Sequence, residues 1–89
     1  MNNKYDFGAA KDFLKQGMKL AREGWNGKGM FVVFVPSKVI NLNEKFKKLF
    51  GTDKVEFNQH FVIKNVDESV STWVPRINDC LAEDWYIVD

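Results

Sequence analysis

Cys80 is the only cysteine in this chain of 89 residues, so no disulfide framework can hold it together. A lone thiol fits a reducing cytoplasm. With one histidine besides, there are too few ligands for a structural zinc site, and no carboxylates stand at calcium-loop spacing. No metal and no cofactor are therefore expected. The apolar run "MFVVFV" (30–35) is far shorter than the about 20 residues that span a bilayer as a helix, so no membrane partner is expected. The opening "MNNKYDFGAA" lacks the pattern of a signal peptide. Charge of either sign is not in excess: 13 basic and 12 acidic residues leave a net charge of +1. General DNA or RNA binding needs a basic footprint that is missing here.

Aromatic residues are the surplus, with eight Phe, three Trp and two Tyr. A domain of this size buries only about 60–65% of its unfolded surface. Its core has limited room for them, and some are expected in a subunit interface or a ligand pocket.

The pattern along the chain predicts one α+β domain over 1–89, a mostly antiparallel sheet with two short helices. "DFGAAKDFLKQG" (6–17) reads as the first helix, with Asp6 as N-cap and Gly17 as stop. Phe7, Ala10, Leu14 and Phe13 make its apolar stripe. "MKLAR" (18–22) reads as a short strand and "MFVVFV" as a central strand buried on both faces, ended by Pro36. "NEKFKKLFG" (43–51) predicts the second helix, capped by Asn43, with Phe46, Leu49 and Phe50 facing inward and Lys45, Lys47 and Lys48 outward. "VEFNQHFVIKNV" (55–66) reads as one long strand. Val55, Phe57, Phe61 and Ile63 share a face if Asn58 to His60 keep register. "VSTWV" (70–74) returns, "RINDCLA" is a short helix or turn, and "DWYIV" (84–88) is a last strand.

"GWNGKG" (24–29) is the first candidate for chemistry. It is not a P-loop: Gly29 stands where Ser or Thr must follow Lys28, and no glycine lies at the required distance upstream. The dinucleotide-binding glycine spacing is missing too. Asn26-Gly27 is a turn signal, so a β-hairpin loop is expected. Such a glycine-rich turn also exposes backbone N–H groups that bind anions. Trp25 within it can stack on a base. Trp73 reads either as core or as a pocket wall. Arg76 can meet a phosphate by a bidentate contact. Asp79 and Glu83 share a face if 76–82 is helical, and can be a general acid and base or a solvated, capping pair. Leu81, Ala82 and Trp85 read as core, and Cys80 as a small buried apolar residue. His60 is the one group titrating near neutral pH, without an evident Ser or Cys partner. No set of nucleophile, base and oxyanion donors is visible, which favours binding over turnover.

Two blocks together carry a resemblance. "AREGWNGKGMFVVFVP" (21–36) and "TWVPRINDCLAEDWYIV" (72–88) resemble the signature segments of the second family of Thoeris anti-defence proteins, a small phage and prophage family. The matching positions are Arg22, Gly24 to Met30, Trp73, Pro75, Asp79 and Leu81 to Trp85. The resemblance implies a homotetrameric, non-enzymatic sponge in the cytoplasm of the infected host. It would bind a cyclic ADP-ribose signal (glycocyclic ADP-ribose) intact, in pockets between subunits. In some members it implies cyclic oligonucleotides as a second ligand class. Carried onto these residues, Trp25 would stack on or wall the adenine. Asn26, Gly27 and Lys28 would donate to ribose or phosphate. Arg76 would neutralise the pyrophosphate, and Asn78 and Asp79 would read ribose hydroxyls or base edges. Arg22, Trp73 and Asp84 complete the expected ligand-binding set. One departure stands out: Arg76 and Ile77 follow Pro75 where the family is expected to favour small or amide residues. Two other functions remain open on the residues alone. One is an enzyme degrading a cyclic nucleotide, with His60 or Asp79 as base. The other is a module that blocks a host protein through its aromatics.

Overall fold

Asp6 and Gly17 bracket the first helix. In the computed structural model, which describes residues 3–25 and 27–89, α1 spans Phe7–Lys15. The Asp6 carboxylate accepts from the Ala9 N–H at 2.9 Å, satisfying one of the orphan donors of the first turn. Gly17 takes φ +93, the left-handed conformation that lets the chain leave the helix. Ala10 and Leu14 are fully buried.

β1 (Lys19–Arg22) and β2 (Phe31–Val35) follow as an antiparallel pair with Leu20 opposite Val32. The loop 23–30 therefore joins a hairpin, as expected. Beyond it lie β3 (Lys38–Asn41), α2 (Glu44–Phe50), β4 (Lys54–Phe57), β5 (His60–Lys64), β6 (Val70–Trp73), α3 (Ile77–Leu81) and β7 (Trp85–Val88). The main sheet is antiparallel throughout, in the order β6-β5-β2-β1-β7. β2 is its central strand. Leu20, Val32, Ile63 and Trp85 from four strands join Ala10 and Leu14 of α1 in the core. The α+β expectation holds, with three helices among the described residues rather than two, because 77–81 closes into a helical turn.

Four expectations fail, each for a packing reason. β2 is not buried on both faces: Val32 is buried and its neighbours are half-buried. α1 covers one face of the sheet. On β2 itself, Phe31 is shielded by the ammonium groups of Lys19 and Lys64, 5.0 and 5.6 Å from its ring centre.

The long strand over 55–66 breaks at Asn58-Gln59. Its first half pairs with β3 in a separate two-stranded sheet and its second half with β2. Val55 and Phe57 thus share no sheet with Phe61 and Ile63.

Phe46, Leu49 and Phe50 do not face inward. They are 44%, 68% and 63% exposed, because α2 sits on the small β3–β4 sheet's connection and packs little on the main sheet. Its capping is as read: Asn43 accepts from the Phe46 N–H at 3.0 Å, and Gly51 ends it at φ +71.

Cys80 and Leu81 are exposed rather than buried. The inward position of the five-residue α3 belongs to Asp79, so its neighbours turn outward.

Candidate ligand-binding site

Trp85 begins β7 and is fully buried, its indole N–H donating to the Asp79 carbonyl at 3.0 Å. Two other tryptophans lean on it edge to face. Trp25, from the β1–β2 loop, lies 5.4 Å away between centroids at 79°. Trp73, at the end of β6, lies 6.0 Å away at 79°. Trp25 and Trp73 meet each other at 6.3 Å and 69°. Edge-to-face pairs contribute about 0.5–1.5 kcal/mol each beyond their burial. The three rings therefore fix one another, with Trp85 as the anchor and the two half-buried rings facing a cavity of about 650 Å³.

Arg22 stands in the cavity wall between two carboxylates. Its Nη1 is 2.8 Å from Asp79 Oδ1 and its Nε 2.9 Å from Asp84 Oδ1. Asp84 Oδ2 accepts from the Gly24 N–H at 2.8 Å. Asp79 Oδ2 accepts from the Arg76 N–H at 2.9 Å, and its Oδ1 also faces the Trp25 indole N–H at 3.5 Å. The hydrogen bond with Asp84 raises the Arg22 pKa above its ordinary value, against burial and with help from Asp79. Burial pushes the Asp84 carboxyl up, but the bonds from Arg22 and Gly24 outweigh it and hold the group below the usual value. Arg22 is thus neutralised twice over. Among the described residues, the Arg76 guanidinium has no carboxylate partner. It is exposed at the same cavity.

Six residues of the expected set line this cavity together: Arg22, Trp25, Trp73, Arg76, Asn78 and Asp79. Both oxygens of Asp79 are already engaged by the protein. The pairing of Asp79 with Glu83 on one helix does not form, since α3 ends at Leu81. Gly27, Lys28 and Asp84 are not among the described lining residues. Gly27 packs so closely that an added Cβ would collide with Val66 Cγ2 and lie 2.6 Å from Met30 Sδ. Lys28 is exposed on the loop, and Asp84 lies behind Arg22. Asn26 lies outside the described residues.

Met30, Asn65 and Thr72 also line the cavity and were not foreseen. The signal for Asn65 was available in the hairpin. The β5–β6 pairing, joined through the turn at Asp67-Glu68-Ser69, brings the end of β5 beside β6. There the Asn65 amide donates to Ser69 Oγ and Ser71 Oγ, each at 3.2 Å.

A second cavity, of about 420 Å³, is lined by Lys11 and Lys15 of α1, His60, Phe34 and Phe61, and it shares Trp73 and Val74 with the first. His60 belongs here, its Nδ1 2.8 Å from the Asn58 carbonyl.

Two similarities to known proteins accompany this geometry. Residues 5–88 match the model of the Thoeris anti-defense 2-like domain. Over 88 residues, covering 99% of this chain and 99% of the relative, the sequence is 40% identical to a protein named Thoeris anti-defense 2 from Bacillus phage SP01.

Proposed function

The chain belongs to the Thoeris anti-defense 2-like family, and we propose that it works as a sponge. Family membership carries an anti-defence role. On our reading the protein binds a cyclic ADP-ribose-type signal, glycocyclic ADP-ribose, holds it intact in the host cytoplasm, and so keeps it from the Thoeris effector.

The observation that carries this reading is the Trp25–Trp73 cavity with the exposed Arg76 beside it. Its volume of about 650 Å³ suits a small-molecule site, for which about 300–1,000 Å³ is usual. Trp25 and Trp73 offer apolar faces for a purine, and Arg76 offers a fork for a pyrophosphate. Asn78, which also lines the cavity, would read ribose hydroxyls. Arg22 and Asp79 serve mainly to hold the walls, since each already answers the other.

A sponge has to capture a scarce signal, so nanomolar binding, about 12 kcal/mol, is required. An open groove would struggle to supply that. Val74, Ile77 and Leu81 are 79%, 74% and 75% exposed around α3 and the cavity. They suit burial by a second copy, which would close the pocket and exclude water. A homotetramer with pockets between subunits is the assembly we expect. The second cavity, where Lys11 and Lys15 share the lining with Phe34, Phe61 and Trp73, is the place to seek a second, cyclic oligonucleotide ligand.

Native mass spectrometry of the protein taken from cells making the signal tests the reading. A tetramer carrying the intact nucleotide supports it, and an empty chain from signal-rich cells contradicts it. The exposed apolar face of α2 favours a second reading, in which the protein blocks a host protein by direct contact. A stoichiometric host partner captured without any small molecule would support that alternative.

A further inference from the structure

We propose that Asp84 is the positioning residue for Trp25, acting behind the cavity and never touching the ligand. The role of Trp25 rests on the function proposed above, while the latch itself stands on geometry alone.

The loop 23–30 contains Gly24, Gly27 and Gly29, and glycine gives the unfolded chain its greatest freedom. A ring presented on such a loop would ordinarily sample many orientations, and each unproductive one lowers the apparent affinity. The loop is nevertheless held on both sides of Trp25. On one side, the Asp84 carboxylate bridges Arg22 Nε at 2.9 Å and the Gly24 N–H at 2.8 Å. The Asp84 carbonyl accepts from the Glu23 N–H at 3.1 Å. Three consecutive residues, 22 to 24, are thus tied to one. The Trp25 N–H then closes the turn onto the Arg22 carbonyl at 3.2 Å. On the other side, Gly27 is pressed against Val66 and Met30.

Asp84 also precedes Trp85, the ring on which Trp25 rests. One dipeptide therefore sets both the backbone beside Trp25 and the plane of its indole. Gly24 is needed for the same reason. An added Cβ there would lie 2.9 Å from Asp84 Oδ2, so a side chain at 24 would push the latch open from the opposite side.

The test uses the full chain with glycocyclic ADP-ribose as probe, in Asp84→Ala, Asp84→Asn, Gly24→Ala and the Asp84→Ala/Gly24→Ala double variant. Amide hydrogen exchange is read at Gly24 and Trp25, with Leu20 and Val32 as core controls, and probe affinity is measured in parallel. Asp84→Ala is expected to raise loop exchange about tenfold or more and to weaken binding by about tenfold, with the core controls unchanged. Asp84→Asn keeps an acceptor for the Gly24 N–H and is expected to lie between wild type and Asp84→Ala, which also serves if the alanine variant folds poorly. The double variant is expected to be no worse than the more affected single, since both changes open one latch.

Unchanged loop exchange in Asp84→Ala would overturn the proposal. So would an affinity loss without any change in exchange, which would place Asp84 on the ligand, and so would additive effects in the double variant. A wild-type protein that ignores the probe would instead overturn the function proposed above, and the exchange measurement would still decide the latch.

Discussion

Trp25 rests edge-on against Trp85, centroids 5.4 Å apart and planes at 79°. One ring is half-buried at the cavity and the other is wholly in the core. Cavity wall and core meet at that contact, which makes substitutions on its two sides separable. Trp25→Ala is expected to weaken nucleotide binding by about 10- to 100-fold, the scale of one lost base stack, while the chain stays folded and assembled. Calorimetric titration and size-exclusion mass together check this. Trp85→Ala, by contrast, is expected to destabilise by about 3–5 kcal/mol. If Trp25→Ala unfolds the chain or splits the assembly, Trp25 is a core or interface residue.

The Arg22 network makes a pH prediction with a definite sign. The folded-state pKa of Asp84 is lowered from 3.8, so the carboxylate contributes stability that is present above that value and is lost as pH falls through the lowered one. Asp67 is lowered too, by its bonds from Ser69, and adds to the same acid window. Asp84→Asn is expected to flatten the acid side of the stability profile below about pH 4. Urea unfolding at pH 7 and at successively lower pH checks it. Arg22→Leu removes the charged partner of two part-buried carboxylates that keep their backbone donors and is expected to cost about 1–3 kcal/mol at neutral pH.

Gly27→Ala is expected to weaken binding by displacing the loop, because its methyl group would meet Val66 Cγ2 and Met30 Sδ. Val66→Ala in the same chain makes room and is expected to restore part of the affinity. A double-mutant cycle on dissociation constants reads the coupling. Were Gly27 simply an amide donor to the ligand, Val66→Ala would restore nothing.

Leu49→Asp is expected to change the intrinsic stability of the chain by no more than about 0.5 kcal/mol, since this side chain is 68% exposed on a helix that buries no residue. Chemical denaturation at low protein concentration checks this.

Local signals explain what the sequence made legible. Asp6 and Gly17 mark α1 because a cap and a left-handed stop are set by neighbours in the chain. Asn43 and Gly51 do the same for α2. The apolar run at 31–35 lies at the centre of the sheet because its β-branched and aromatic residues suit a pleated, half-buried surface. What local signals miss is decided by distant partners. Asn58 and Gln59 carry no turn glycine, yet the strand divides there because its halves pair with different strands. The apolar stripe of α2 looks inward in any helical projection, but among the described residues the helix packs little on the main sheet and buries none of its side chains. Trp25, Trp73, Arg76, Asn78 and Asp79 could be nominated as site residues by type and motif. That Asp84 faces Arg22 and Gly24, 62 and 60 residues away, comes only from the β1–β7 pairing.

The most direct measurement is the fate of the bound nucleotide. Protein is saturated with glycocyclic ADP-ribose, freed of excess by gel filtration, heated until it unfolds, and the released material is analysed by mass spectrometry and by activation of a Thoeris effector. Intact nucleotide, recovered stoichiometrically and still active, is the expected result. A cleaved product, or no nucleotide carried through the column, would contradict sequestration in the Trp25–Trp73 cavity.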